Sequence, residues 1–169
     1  SNLTEYFDNY DKAEDWIELY NSGGSEINLS GYRLSDNIDE PLKWVIPNGT
    51  ILPAYGYITF WCSGRDEFSG GNFHTNFKLK QTKDNAEHLV LSNSIGNIID
   101  DIEIQTTQLE HSMGRSTNST WKIFTSPTKG EINNGISYSA YAEAPEVSIP
   151  AGFYNSTRYL ALFTTEPNA

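Results

Sequence analysis

The sequence predicts an all-β sandwich with little or no helix, on three observations. Short runs rich in β-branched and aromatic residues recur along the chain. Gly, Pro, Asn and Ser clusters separate them at short intervals, which is the spacing of strands and turns. No stretch shows the apolar period of an amphipathic helix, so helix content should fall far below the usual soluble-protein share of about 30–35%.

Taken in order, residues 1–14 are a polar, acidic lead-in with Tyr6, Phe7 and Tyr10 interleaved. Trp16-Ile17-Glu18-Leu19-Tyr20 then reads as a strand, and Asn21-Ser22-Gly23-Gly24 as the turn that ends it, because Gly accepts positive φ. Tyr32-Arg33-Leu34-Ser35 alternates, with Tyr32 and Leu34 on one face. Asp36 to Pro41 is a polar loop, and Trp44-Val45-Ile46 is a short strand stopped by Pro47. After the turn at Asn48-Gly49-Thr50, Ile51-Leu52-Pro53 leads to the strongest strand, Tyr57 to Cys62. Trp61 and Phe60 have opposite parity there, so one of them should face away from the core.

Ser63 to Gly71 reads as a loop of Gly, Ser and charge, and Phe77-Lys78-Leu79-Lys80 as a further alternating strand. Glu87 to Leu91, Ile95 to Ile102, Ser112 to Arg115 and Trp121 to Phe124 complete the strands before Pro127. Residues 135–144 are small and polar and read as a linker. Pro145 to Tyr154 opens a new unit, with one more strand at Tyr159 to Thr164.

Bulk properties bound the function. A chain of 169 residues with 37% hydrophobic and 13% aromatic content can bury a core without disulfide staples. Its net charge of −11 repels a phosphate backbone and an anionic membrane surface, so neither nucleic acid nor membrane is expected as a partner. No apolar run reaches the ~20 residues of a membrane span. The chain opens on Ser1 rather than Met and shows no leader, as expected of a piece of a longer protein. The single cysteine, Cys62, shares parity with Ile58 and Phe60 and reads as a buried small hydrophobe.

Candidate chemistry is sparse. His74, His88 and His111 sit in no motif with Ser or Asp that would make a triad, and a structural hydrogen bond is the expected role of His74. Nothing has the clustered His and Cys spacing of a zinc site. Two acidic groups, Asp8-Asn9-Asp11-Glu14-Asp15 and Asp36-Asn37-Asp39-Glu40, could be offered to calcium, but neither has EF-hand spacing and solvated loops are the expected reading. No catalytic, metal or cofactor residues are therefore assigned, and the chain is expected not to be an enzyme. Tyr6, Tyr10, Trp16, Tyr20, Tyr32, Trp44, Tyr55, Tyr57 and Trp61 could include a stacking platform for sugars, against the alternative that they pack in the core and across strands. Five Asn-x-Ser/Thr triplets, at Asn2, Asn28, Asn48, Asn118 and Asn155, would suggest glycans in a eukaryotic secreted protein and are compositional in a bacterial one.

A family resemblance sharpens this reading. Trp16-Ile17-Glu18-Leu19-Tyr20-Asn21, Leu29-Ser30-Gly31-Tyr32, Ile46-Pro47-Asn48-Gly49-Thr50, His74-Thr75-Asn76-Phe77, Leu89-Val90-Leu91, Gly96-Asn97-Ile98-Ile99-Asp100 and Ser112-Met113-Gly114-Arg115, in this order, resemble the lamin tail domain. The closing Trp121, Ser126-Pro127-Thr128-Lys129-Gly130 and Asn133 are similar to the end of its bacterial members. The resemblance covers roughly Trp16 to Asn133 and implies an immunoglobulin-like β-sandwich that binds or scaffolds rather than catalyses. Animal lamins carry the domain behind a coiled coil and with basic patches. Here no heptad is visible, and 11 Lys and Arg face 22 Asp and Glu.

Glu146 to Tyr154 is similar to the opening of the small β-sandwich at the C-terminus of chitobiase-like proteins. The expected organisation is a lead-in at 1–14, the lamin-tail-like sandwich at 15–134, a linker at 135–144 and the start of a second β module at 145–169. The expected role is a non-catalytic binding or scaffolding module of an exported multidomain bacterial surface protein, extracellular or at the cell surface, with a protein or glycan partner. A carbohydrate-binding accessory module of a larger enzyme is the alternative.

Overall fold

The computed structural model describes residues 1–80 and 87–164 of the protein. Among these, the strands are β1 (Trp16–Tyr20), β2 (Ile27–Asn28), β3 (Arg33–Ser35), β4 (Trp44–Val45), β5 (Ile51–Leu52), β6 (Tyr57–Trp61), β7 (Glu67–Ser69) and β8 (Asn72–His74). There follow β9 (Glu87–Ser92), β10 (Ile98–Ile104), β11 (Ser112–Arg115), β12 (Trp121–Phe124), β13 (Ser137–Tyr138), β14 (Glu146–Val147) and β15 (Leu162–Phe163). No helix occurs among the described residues. The all-β expectation holds, and the architecture is an immunoglobulin-like sandwich.

Two four-stranded sheets, ordered β1-β6-β8-β7 and β10-β9-β3-β4, face each other. Cross-strand register decides what goes inside, because directly opposed residues share a face. Ile17 opposes Phe60 and Leu19 opposes Ile58 in the first sheet. Leu34 opposes both Leu91 and Trp44 in the second. These residues pack together with Ile46, Cys62 and Phe77, while the β2–β5 pair adds Leu29 and Leu52 at one end. Complete burial of a side chain such as Phe60 contributes ~1.5–3 kcal/mol. Trp44 is buried without leaving its indole N–H unpaired: Nε1 donates to Asp66 Oδ1 at 2.9 Å.

The parity argument for Phe60 and Trp61 leads to an unexpected burial. Trp61 does point away from the core, opposite Trp16. It is nevertheless only 1% exposed. Its Nε1 donates to Asn72 Oδ1 at 3.0 Å, and Lys129 Nζ lies 5.1 Å from the ring centroid. The chain after β12 folds back over this face: Gly130 N donates to Glu18 Oε2 at 2.7 Å, and Pro127 O accepts from Tyr6 Oη at 3.1 Å.

Two expected elements differ. The Ser63–Gly71 loop contains β7, which forms a hairpin with β8 through Gly70 and Gly71, both at positive φ (57° and 80°). Phe77–Lys80 alternates but forms no strand. Phe77 is buried in the core, and its carbonyl accepts a bond from Thr75 Oγ1 at 2.8 Å, so this segment follows the core rather than a neighbouring ladder.

A third sheet, β11-β12-β13, lies beyond the sandwich and buries Ile123 and Phe124. Its last strand, β13, falls in the stretch read as a linker. Both ends of the chain's first 144 residues are fastened to residues 107–111. Glu110 Oε1 accepts from Leu3 N, Thr4 N and Thr4 Oγ1 at 3.1, 2.6 and 2.9 Å. Tyr141 Oη meets Gln108 N at 2.9 Å and His111 Nδ1 at 2.8 Å. Residues 145–164 contain the β14–β15 pair, and residues 165–169 lie outside the described residues.

Candidate functional site

A cleft lies where the two sheets end. β1 is the edge of one sheet and β10 the edge of the other, and the cleft between them has a volume of about 670 Å³. Its apolar lining includes Leu19, Leu79, Leu89 and Leu91, which pack against the core, with Ile102 and Ile104 of β10. Trp16, Tyr20, Tyr57 and Trp121 stand around it, and β11 crosses one side.

A β-bulge shapes this cleft. Ile98 pairs with Ser92, but Asp100 pairs with Leu91, so Ile99 is the extra residue. A bulge re-aims every side chain after it. Asp100 and Ile102 consequently share the core-facing side with Leu91 and Leu89, while Asp101 and Glu103 lie with Val90 and His88 on the other. Asp100 is matched by Arg115 of β11, whose Nη2 reaches both carboxylate oxygens at 2.7 and 2.9 Å. The same guanidinium covers the Trp121 ring at 4.8 Å.

Among the described residues, β1 also has a second ladder edge without a paired strand. Asp15 O accepts from Cys62 N, and Asn21 N donates to Gly56 O. Alternation in an antiparallel ladder then turns Ile17 and Leu19 towards β6, and the N–H and C=O of Trp16, Glu18 and Tyr20 away from it. Burial pushes the Glu18 carboxyl above its ordinary range, against the pull of the Gly130 N–H, Thr59 hydroxyl and Lys129 charge. Burial likewise raises the Tyr57 hydroxyl, helped by Tyr20 and Glu18.

The residues singled out in the sequence are mostly elsewhere. His74 is completely buried, with Nδ1 3.0 Å from Ser63 Oγ and Nε2 2.8 Å from Asn9 Oδ1. Serine, imidazole and amide in line are the components of a nucleophile relay. Here Ser63 is itself buried and also accepts from Arg65 N at 3.3 Å, and the Tyr10 ring packs edge-on against the imidazole. The arrangement joins the lead-in to β8. Burial lowers the His74 pKa; Asp8 opposes this, and Arg65 reinforces it.

In the first acidic group, Asp8 is buried, receives Tyr10 N and Lys12 N, and pairs with Arg65 at 3.2 Å. In the second, Asp36 pairs with Lys43 at 2.6 Å. Among the described residues, no group of three or more His, Cys, Asp or Glu is placed to hold a metal ion. Cys62 is in the core, and burial pushes its thiol well up. Of the nine aromatics considered for sugar stacking, Trp44 and Trp61 are buried, and Tyr20 and Tyr57 stack on one another at 4.6 Å and 25°. No helix among the described residues is long and apolar enough to cross a membrane. Sequence reasoning missed the cleft; the available signal was Ile98-Ile99 before an acidic–apolar alternation, the pattern of a bulged edge strand.

The family model for the Lamin Tail Domain matches residues 2–106, more than half of the chain. The chain belongs to the lamin tail domain family. The match spans the lead-in and β1 to β10, so the lamin tail domain here includes both facing sheets and both edges of the cleft, with the β11–β13 sheet beyond it. Lamin tail domains are immunoglobulin-like modules that are generally non-catalytic. No curated protein matches the chain.

Proposed function

We propose that this lamin tail domain is a binding and scaffolding module of an exported, multidomain bacterial surface protein, and that it holds a polypeptide partner in the cleft between β1 and β10. The observation that carries this reading is the cleft itself. An apolar floor open between two sheet edges offers burial and backbone hydrogen bonds together, which is how sandwiches capture extended polypeptide. The excess of acidic charge argues for a partner other than nucleic acid. In this reading residues 15–134 carry the module, with the lead-in packed onto it, and residues 135–144 lead out of it through β13 and Tyr141. Residues 145–169 begin a second β module similar to the chitobiase C-terminal sandwich.

A glycan is the second reading, favoured by Trp16 and Trp121 lining the cleft. Selection of peptides displayed on phage, alongside a glycan array, separates the two. Hits are mapped by backbone amide shifts. Selected peptides that shift Leu19, Leu89 and Ile102 support the proposal; glycan hits alone at these residues replace it with the second reading. Hits that map only elsewhere overturn both.

A further inference from the structure

We propose that the outer edge of β10 pairs with an added strand from the partner, and that this strand alternates apolar and basic residues. The inference rests on the binding-module reading above and specifies its ligand. β10 is seven residues long, contains neither Pro nor Lys, and pairs only with β9 among the described residues. Its edge does carry a bulge at Ile99 and the acidic side chains Asp100, Asp101 and Glu103, devices that turn away indiscriminate pairing and leave the charge of an incoming strand to decide. β11 reaches β10 through a side chain, Arg115 to Asp100, rather than through a ladder.

The bulge fixes what an incoming strand must carry. Alternate side chains would lie beside Asp100, Ile102 and Ile104, over the cleft floor of Leu89 and Leu91. Asp100 is already matched by Arg115, so apolar residues suit this row. The intervening side chains would lie beside Asp101 and Glu103, both exposed, where Lys or Arg is favoured and Asp or Glu is repelled.

The same charges argue against a second copy of this chain. Antiparallel self-pairing centred on Asp101 sets that carboxylate against its own copy, and centring on Ile102 sets Asp101 against Glu103. Like charges directly opposed destabilise a strand pair.

The test is an amide NMR titration of the whole chain with three capped synthetic peptides. One alternates Val and Lys, one alternates Val and Glu, and the third is the Val–Lys peptide with its edge-pairing amides N-methylated. The Val–Lys peptide should shift Ile98 to Ile104, weaken as salt is added, and bind about tenfold or more tightly than the Val–Glu peptide. N-methylation should abolish binding, and the exposed double substitution Asp101→Lys, Glu103→Lys should reverse the preference while the remaining spectrum is kept. Equal binding of the Lys and Glu peptides, survival of binding after N-methylation, or shifts away from β10 would overturn the inference. If phage-selected peptides map to the cleft without this alternation, the inference falls and the binding-module reading stands. If no polypeptide shifts the cleft, both fall.

Discussion

Arg115 of β11 grips Asp100 of β10 through both carboxylate oxygens, and this pair ties the third sheet to the open edge of the sandwich. Asp100 is available only because the bulge at Ile99 turns it inward.

Loss of this pair should loosen β11 more than it destabilises the fold. Both side chains are nearly half exposed, 44% and 46%, so Arg115→Ala should cost no more than about 1 kcal/mol in urea unfolding. Amide exchange in β11 should nevertheless accelerate, and Trp121, losing the guanidinium above it, should shift its emission to the red.

Glu18 should make the protein more stable as the pH falls towards the acid range. Its folded carboxyl titrates above the ordinary 4.5, so the folded chain holds the proton more tightly than the unfolded one. Stability is therefore gained as the pH drops through the window just above 4.5 and lost as it rises. Glu18→Gln keeps an acceptor for Gly130 N and should remove this dependence. Glu18→Ala should remove it as well and leave the Gly130 N–H without this partner, at a cost of about 1 kcal/mol that is larger at acid pH than at neutrality, where the buried charge is lost with the side chain. Urea midpoints between the acid range and neutrality check both.

His74 works in the opposite direction and in a higher window. Its folded pKa lies below the ordinary 6.5, so the unfolded chain takes up a proton first and stability falls as the pH drops below 6.5. His74→Gln should lose that slope. His74→Ala should cost about 2–4 kcal/mol, because it opens a cavity and strands Ser63 and Asn9. Melts on either side of pH 6.5 separate the two contributions.

Cys62 should be inert while the protein is folded. It is buried and its thiol is pushed well above the ordinary range, so little thiolate is present and none is reached by reagent. Iodoacetamide should label it only as fast as the domain opens, and the rate should rise with added urea. Rapid labelling without denaturant would contradict this packing.

Much of the sandwich was legible because its strands obey local rules. Trp16–Tyr20 and Tyr57–Trp61 combine β-branched and aromatic residues between clear turns, and they pair in perfect register. The β7–β8 hairpin was less visible because Glu67-Phe68-Ser69 is short and polar, although Gly70-Gly71 is itself a two-residue turn signal. Phe77–Lys80 misled because alternation alone does not supply a neighbouring strand. The burial of Trp61 depends on Lys129 and Gly130, more than sixty residues later, and the cleft depends on which strands end each sheet. The first leaves no local mark in the chain, and the second leaves only the bulged-edge pattern at Ile98-Ile99.

The shared anchorage of Leu3-Thr4 and Tyr141 on residues 107–111 has a mechanical meaning. Tension applied at residues 2 and 144 would be shared between this short path through Glu110, Gln108 and His111 and the side-chain bonds of Asn2 to Glu14 and Asp15 just before β1. The clamp would yield before the sandwich is sheared. A module strung between others would thus lengthen by releasing its ends while its core, and the cleft between β1 and β10, stays intact.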